Sequence, residues 1–230
     1  MKVREHSPLV RRLARAFGRL LFQWAENNGD SRTSHNVEGW LLRKLIARHS
    51  RTGRPFVVID GGANVGDYTR LALSEASAAG CVAEVHVFEP SPHCLSILRT
   101  AFVGESVTVT GAALAAQDGE APLFGGATGS SQASLTKRSL FHEEPADEVR
   151  VSKLRLGEYL TQNAISRVGL HKLDAEGSEL AALQGLGDLL APEIIDAIQF
   201  EYGGTTADAG INYSYANYVA LAPRCRANGS

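Results

Sequence analysis

Cysteine is scarce in this sequence, and its three cysteines form no recognisable pattern. Cys81, Cys94 and Cys225 are far apart, and neither a Cys-x-x-Cys motif nor a cluster of cysteine with histidine accompanies them. An odd number of dispersed cysteines argues against a disulfide framework and against a structural zinc site. The sequence therefore predicts reduced thiols and a cytoplasmic location.

Long apolar runs and an excess of one charge are also missing. No stretch approaches the roughly 18 consecutive apolar residues of a membrane-spanning helix, and the first residues lack the pattern of a secretory signal. The formal net charge is −2, so no overall field favours nucleic acid or an anionic membrane. These absences favour a globular enzyme or binding protein that does not bind nucleic acid.

The pattern of the chain changes near residue 50. Apolar residues recur at helical spacing in residues 8–24, with arginines on the other side, and a second helix is predicted in "VEGWLLRKLIARH". We predict an N-terminal helical extension over residues 1–50 and one α/β domain over residues 51–230. The arginine side of the first helix is typical of a solvated surface, and contact with a membrane surface is the less favoured interpretation.

Strands and helices alternate after residue 55. Strands are predicted over residues 56–60, 84–90, 106–114, 149–154, 168–174 and 194–202, with helices over 66–79, 91–102, 155–163 and 178–190. Strands separated by helices are typical of βαβ units, so we predict a mostly parallel sheet with helices on both faces. The glycine- and serine-rich "FGGATGSSQASL" interrupts this order and is predicted to be a loop.

The segment "VVIDGGANVGDYT" joins a strand that ends in Asp60 to a turn with Gly61, Gly62 and Gly66. The spacing differs from the G-x-G-x-x-G pattern of dinucleotide-binding turns. A carboxylate at this strand end would also repel a pyrophosphate. We therefore interpret the turn as a site for a nucleoside with positive charge, such as the sulfonium cofactor S-adenosylmethionine.

Further acids follow at the ends of other strands. Glu89 ends the second strand, where a carboxylate can accept hydrogen bonds from ribose hydroxyls. Asp174 and Glu201 end two later strands, and open α/β sheets bind ligands at this edge. Lys172 lies on the same strand face as Asp174 and can serve as its ion-pair partner. Two carboxylates are few for a divalent metal, so we predict no metal site.

Four segments are recognisable in this order: "VIDGGANVGDYT", "VFEPSP", "KLDAEGSELAALQG" and "IQFEYGG". Together they resemble the FkbM family of S-adenosylmethionine-dependent methyltransferases, and the resemblance covers residues 35–222. It implies a class I methyltransferase fold with a Rossmann-like sheet. It also implies methyl transfer to a hydroxyl oxygen of a saccharide or of a small natural-product acceptor.

The resemblance also assigns roles by position. It implies that the cofactor-binding residues are Asp60, Gly61, Gly62, Ala63, Asn64, Gly66, Glu89 and Ala113, with Glu89 at the ribose and Ala113 near the adenine. It places Lys172, Asp174 and Glu176 near the transferred methyl group, with Glu201 a further candidate for the catalytic centre. The "SSQASL" segment resembles a loop near the acceptor.

The C-terminal part departs from the family pattern. The segments "FEYGGTTADAGI" and "NYSYANYVALAP" nearly abut, whereas family members carry several dozen residues between them. We therefore predict a shortened C-terminal part, which leaves a degenerate, non-catalytic cofactor-binding fold as one alternative. A nicotinamide-dependent oxidoreductase is the other, disfavoured by the glycine spacing and Asp60. His171 is a weaker candidate for the proton acceptor because it is predicted to face away from Asp174. The sequence leaves the oligomeric state open.

Overall fold

A computed structural model describes residues 37–125, 133–135, 148–202 and 216–221. For residues 37–38, 201–202 and 216–221 it describes the backbone alone. The chain divides into two compact units, residues 1–40 and 41–230. The predicted helix over residues 8–24 lies outside the described residues, and the predicted boundary at residue 50 stays a prediction.

Nine strands and five α-helices are described. The strands are β1 (Phe56–Gly61), β2 (Ala83–Phe88), β3 (Val107–Thr110), β4 (Ala113–Leu114), β5 (Gly119–Phe124), β6 (Glu148–Leu154), β7 (Leu170–Leu173), β8 (Ala197–Tyr202) and β9 (Ala216–Leu221). The helices are α1 (Val37–His49), α2 (Asp67–Ala78), α3 (Pro92–Ala101), α4 (Leu156–Gln162) and α5 (Glu179–Gln184). Short 3-10 helices cover Ser50–Thr52 and Gly187–Leu189.

The central sheet has six strands in the order β3-β2-β1-β7-β8-β9. The first five run parallel to their neighbours, and β9 runs antiparallel to β8. The strand order reverses between β1 and β7, and open α/β sheets bind ligands at the carboxyl ends of the strands beside such a reversal. The predicted, mostly parallel Rossmann-like sheet is confirmed.

Helices cover both faces of this sheet. On one face, called face A, Phe56 and Val58 of β1 pack with residues of α1, α2 and α3. On the other, face B, Ile59 of β1 packs with residues of α4 and α5. This division follows from the two-residue period of a strand, which sends alternate side chains to opposite faces. Burying each large apolar side chain contributes about 2 kcal/mol, so both layers hold the sheet in place.

A second, smaller sheet corrects the predicted strand pattern. Its order is β4-β6-β5, with β4 parallel and β5 antiparallel to β6. The predicted third strand over residues 106–114 is therefore two strands in different sheets, and β5 lies in a stretch without a predicted strand. Strand β6 was predicted, but it belongs to this small sheet rather than to the central one.

Strand β9 lies in the segment "NYSYANYVALAP". It follows β8 after only 13 residues and forms an edge of the central sheet as far as the described residues show. The predicted shortening of the C-terminal part stays a prediction. The residues between the two strands lie outside the described part of the chain.

Candidate active site

A cleft lies at the carboxyl ends of β1, β2 and β7, beside the strand-order reversal. It is bounded by the turns that follow these three strands, by the start of α3 and by residues of the small sheet. Its described lining residues are Gly61, Gly62, Asn64, Phe88, Glu89, Pro90, Cys94, Ala113, Leu114, Leu123, Ala133, Leu135, Leu173, Asp174, Ala175, Glu176 and Ser178. The edge of the sheet predicted from the strand-end acids therefore carries the cleft.

The β1–α2 turn passes very close to the β7–α5 turn. Gly62 has a φ of 75°, and its N–H donates to the carbonyl of Phe88 at 2.9 Å. A Cβ atom at this position would overlap the backbone carbonyl group of Asp174. Only glycine therefore permits both the positive φ and this close approach.

Glu89 lies in the wall of the cleft with 6% of its surface exposed. Its Oε2 accepts a hydrogen bond from the Asn64 N–H at 2.8 Å, and its Oε1 accepts one from the Ser91 N–H at 2.8 Å. Burial raises the pKa of this carboxyl, and the two backbone donors work against that shift. The two amides fix the carboxylate while each oxygen keeps further lone-pair capacity for a ligand.

Helix α3 begins directly behind Glu89. Ser91 is its N-cap and Pro92 stands in its first turn, as the sequence predicts. The Cys94 thiol contacts the Asn64 side-chain oxygen at 3.3 Å, so the start of α3 is joined to the β1–α2 turn. Burial raises the pKa of the Cys94 thiol, which keeps it neutral.

The β7–α5 turn carries two further acids of the cleft, Asp174 and Glu176. Glu176 has a φ of 47°, a left-handed conformation that is costly for a residue with a side chain. Its backbone carbonyl accepts a hydrogen bond from the Ser134 hydroxyl at 2.8 Å. The Glu179 carboxylate accepts hydrogen bonds from the N–H groups of Ala175 and Gly177 and so caps the β7–α5 turn.

A row of polar side chains crosses face A below the cleft. Asp60, Lys172 and Gln199 are register partners on β1, β7 and β8. Lys172 Nζ lies 3.8 Å from Asp60 Oδ1 and 3.4 Å from Asp174 Oδ2. Helix α2 covers the row, since Thr69 donates to Asp60 Oδ2 at 2.6 Å and the Tyr68 hydroxyl donates to Gln199 Oε1 at 3.1 Å.

This row changes the interpretation of Asp60 and Lys172. Asp60 is fully buried, and burial raises its pKa against the lowering effects of Lys172 and Thr69. Neither Asp60 nor Lys172 is among the lining residues of the cleft. The expectation that the Asp60 carboxylate lines the cofactor site directly does not match this placement, because the side chain points under α2. Lys172 is the ion-pair partner of Asp174, as the sequence allowed.

The remaining residues that were predicted to bind the cofactor differ in whether they line the cleft. Ala113 lines it beside the turn residues, whereas Ala63 belongs to the face A core. Gly66 has a φ of 88°, and a Cβ atom there would meet Phe102 and Leu98, so its role is to let α2 start against α3. Glu201 is the second-last residue of β8, and its side chain lies outside the described residues.

His171 is fully buried and is not among the lining residues. By strand alternation it lies on the face opposite to Lys172, as predicted. Burial lowers the pKa of His171 to about 4. This position does not suit a proton acceptor for a ligand in the cleft.

Sequence reasoning missed several residues of the site. Cys94 is expected only as a dispersed thiol and Ser134 only as part of its loop. The position of Glu179 in the first turn of a helix predicts only a favourable charge there, whereas its carboxylate caps the β7–α5 turn. The position of Cys94, three residues after a capping serine behind Glu89, is the signal that places it beside the cleft. For Ser134 the sequence gives only the resemblance of its loop.

The charged side chains in the described lining of the cleft are all acidic. Glu89, Asp174 and Glu176 contribute three carboxyl groups, and the described lining residues include no lysine and no arginine. No group of three or more metal-ligating side chains occurs among the described residues. Such a cleft suits a ligand with positive charge and without phosphate groups.

This sheet order, the glycine turn after β1 and the acid after β2 define a Rossmann-like fold of the class I methyltransferase type. More narrowly, the chain belongs to the FkbM methyltransferase family, because the model of the Methyltransferase FkbM domain matches residues 60–216. These matched residues include the end of β1, all of β2, β7 and β8, and the described walls of the cleft.

Similarity to solved structures is weaker. A methyltransferase FkbM from Methylobacillus flagellatus KT is 16% identical, covers 64% of this chain and 32% of its own, and has a TM-score of 0.45. Monomeric WbdD is 13% identical over 76% of this chain and 33% of its own, with a TM-score of 0.41. The chain thus spans about a third of the length of either protein.

A third solved structure is a 1,6-didemethyltoxoflavin-N1-methyltransferase from Burkholderia thailandensis, with bound S-adenosylhomocysteine. It is 15% identical over 89% of this chain and 69% of its own, with a TM-score of 0.30. No curated protein sequence matches the chain significantly. In the described part of the chain, no helix has the length and apolarity to cross a membrane.

Proposed function

We propose that this protein is an S-adenosylmethionine-dependent methyltransferase that methylates a hydroxyl oxygen of a saccharide or small natural-product acceptor. The observation that carries the proposal is the acidic cleft at the carboxyl ends of β1, β2 and β7. Family membership supplies the reaction class, and the three carboxyl groups of the described lining favour a cationic nucleoside over a nucleotide with phosphates.

The residues of the cleft fit this cofactor. Glu89 is fixed by two backbone amides, and its remaining lone pairs suit the two hydroxyls of a ribose. Gly61 and Gly62 let a ligand approach the backbone of the β1–α2 turn. Ala113 and Leu114 offer an apolar wall for an adenine ring. Three residues predicted to bind the cofactor depart from this arrangement: Asp60 lies below the cleft, and Ala63 and Gly66 serve packing instead.

S-adenosylmethionine, when bound, supplies a methyl group on a sulfonium sulfur that a hydroxyl oxygen can attack in line. The protein contributes chiefly by aligning the acceptor, since a well-oriented pair reacts far faster than two free molecules. We assign Asp174 the role of accepting the hydroxyl proton, because it is the partly exposed carboxylate beside the glycine turn. Glu176 and the Ser134 segment lie next to it and would contact the acceptor.

The test is a transfer assay with S-adenosylmethionine that carries an isotopically labelled methyl group. Purified full-length protein is incubated with saccharides and polyketide-type alcohols, and products are identified by mass spectrometry. We expect labelled methyl ether from at least one hydroxyl acceptor and its loss in Asp174→Asn. Label found on a nitrogen or carbon atom of these acceptors, and on none of their oxygen atoms, would refute the assignment to oxygen.

A second candidate function follows from the short connection of 13 residues between β8 and β9. A connection of this length offers few residues to the acceptor side, so the fold can bind the cofactor without turning it over. Tight binding of S-adenosylhomocysteine together with no labelled product from a broad acceptor set would favour this non-catalytic role. We rank it second because Asp174, Glu176 and the Ser134 contact remain in place.

A further inference from the structure

We propose that Lys172 is a positioning residue, whose buried ammonium group holds the Asp174 carboxylate in the wall of the cleft and couples it to Asp60. This inference rests on the proposed function, since it concerns how the same cleft meets a cationic ligand. It replaces a direct role of Lys172 at the transferred methyl group with a role that acts through Asp174.

The side chains of Lys172, Asp60 and Asp174 differ in how much of their surface is exposed. The side chain of Lys172 is 9% exposed and that of Asp60 is fully buried, whereas that of Asp174 is 38% exposed. Lys172 Nζ lies between the two carboxyl groups, 3.8 Å from Asp60 Oδ1 and 3.4 Å from Asp174 Oδ2. Among the three, Asp174 is therefore the group that a ligand in the cleft can reach.

Lys172 is held firmly enough to position a neighbour. It stands between Asp60 and Gln199 in the strand register, and its Nζ lies 5.4 Å from the centre of the Tyr68 ring. Tyr68 is itself fixed by its hydrogen bond to Gln199. A flexible lysine normally loses considerable entropy on ordering, but here the neighbouring strands and α2 have already restricted it.

The charges of the row explain why a lysine is needed. Asp60 cannot meet a ligand, yet a carboxyl group fully buried beside a second carboxylate requires compensation. The two carboxylates share the single ammonium group of Lys172, so the three groups together carry one excess negative charge, and Asp174 is the member that is exposed at the cleft. The buried acid of the β1–α2 turn thus influences a cationic ligand through Lys172 rather than by contact.

The test compares S-adenosylmethionine with S-adenosylhomocysteine, which differ by the methyl group and the sulfonium charge. Titration calorimetry gives a Kd for each ligand, and the ratio of the two isolates the response to that charge. We expect Asp174→Asn to raise the ratio of the S-adenosylmethionine Kd to the S-adenosylhomocysteine Kd by about fivefold, because it removes a partly screened charge interaction. Lys172→Met should raise the ratio by a similar factor. Without the ammonium group the buried Asp60 carboxyl takes up a proton, so the net charge of the row is unchanged, and the Asp174 carboxylate is no longer held in the wall of the cleft.

A double-mutant cycle separates positioning from a general structural effect. If Lys172 acts through Asp174, adding Lys172→Met to Asp174→Asn should change the ratio no further. Arg150→Met is the matched control, since Arg150 forms an exposed ion pair with Glu120 in the small sheet and should leave the ratio unchanged. A change in the ratio that adds fully in the double variant would overturn the proposal.

A second variant covers the case in which Lys172→Met does not fold. Asp60→Asn combined with Lys172→Met removes both charges of the buried pair, a replacement that is often neutral for stability. We expect this variant to fold and still show the raised Kd ratio. An unchanged ratio in this folded variant would overturn the positioning role, as would an unchanged ratio in Asp174→Asn.

The outcomes also separate this inference from the proposed function. If the wild-type protein binds neither nucleoside, the proposed function fails. If it binds both, and loss of Lys172 leaves their Kd ratio unchanged, only the positioning role of Lys172 fails.

Discussion

Gly62 and Asp174 meet backbone to backbone at the base of the cleft. The α-carbon of Gly62 faces the carbonyl of Asp174 so closely that a methyl group has no room, and the N–H of Asp174 donates to the Gly61 carbonyl at 2.9 Å. This contact locks the turn after β1 to the turn after β7. The proposed cofactor-binding and acceptor-binding sides of the site are therefore one rigid piece.

Gly62→Ala should disrupt this contact. The added methyl group requires the Asp174 backbone to move, and alanine also disfavours the φ of 75°. We expect a loss of about 3 kcal/mol in the free energy of unfolding, measured with urea. Gly80→Ala is the matched control, because Gly80 has a φ of 64° with nothing within 4 Å of the added atom. The control should lose about 1 kcal/mol; equal losses would contradict the account.

Glu89→Gln should weaken nucleoside binding. An amide at this position turns one N–H donor toward a backbone N–H, and it loses the negative charge that favours ribose hydroxyls. We expect the affinity for S-adenosylhomocysteine to fall about tenfold to a hundredfold, since hydrogen bonds to charged groups contribute about 1.5–3 kcal/mol. Calorimetry provides the measurement, with Glu105→Gln, an exposed acid, as the control. A Kd equal to the wild-type value would remove Glu89 from the site.

Asp60→Asn should lower the free energy of unfolding. It leaves the buried ammonium group of Lys172 with one carboxylate fewer, and breaking a buried ion pair costs about 3 kcal/mol or more. The expected drop appears in urea unfolding at neutral pH. Asp67→Asn, which breaks an exposed pair with Arg70, should cost less than about 1 kcal/mol. A fully stable Asp60→Asn protein would show that the Lys172 contact is not an ion pair.

His171 should make the protein less stable in acid. Burial lowers its pKa from 6.5 to about 4, so between these values the unfolded chain binds a proton that the folded chain does not. The stabilisation is complete above pH 6.5 and is lost as pH falls toward 4. At about 1.4 kcal/mol per pH unit, this loss is about 3 kcal/mol in total.

Comparison with His171→Leu isolates this effect. Burial raises the pKa values of Asp60, Glu89 and Glu179, and a raised carboxyl pKa contributes the opposite slope in both proteins. Relative to the leucine variant, the wild-type protein should lose about 3 kcal/mol in urea unfolding between pH 7 and 4. Parallel pH profiles would mean that His171 is protonated as easily in the folded as in the unfolded state.

The central sheet could be predicted because its strands are short apolar runs. Residues 56–60 carry four apolar side chains before Asp60, and a glycine turn follows at once. Buried parallel strands require this composition on both faces. The small sheet escaped prediction for the opposite reason. Strand β5 has one buried residue, Leu123, and contains Gly119 and Pro122, so it carries little apolar periodicity.

The position of the site could be predicted from the sequence, but the side to which each acidic side chain points could not. Strand ends place Asp60, Glu89 and Asp174 at one edge of the sheet. Whether an acid there is buried depends on which helix covers its face, and Thr69 of α2 reaches Asp60 only in the folded protein. Glu89 faces the cleft because the turns on both sides supply its amide donors. The hydrogen bond from Asn64 to Glu89 spans 25 residues of sequence, so no local pattern predicts it.

Titration of the wild-type protein with S-adenosylhomocysteine and with NADH, side by side in one calorimetric experiment, tests the central claim most directly. An acidic cleft without lysine or arginine in its described lining should bind S-adenosylhomocysteine with one-to-one stoichiometry and leave NADH unbound. Binding of NADH without binding of S-adenosylhomocysteine would contradict the account.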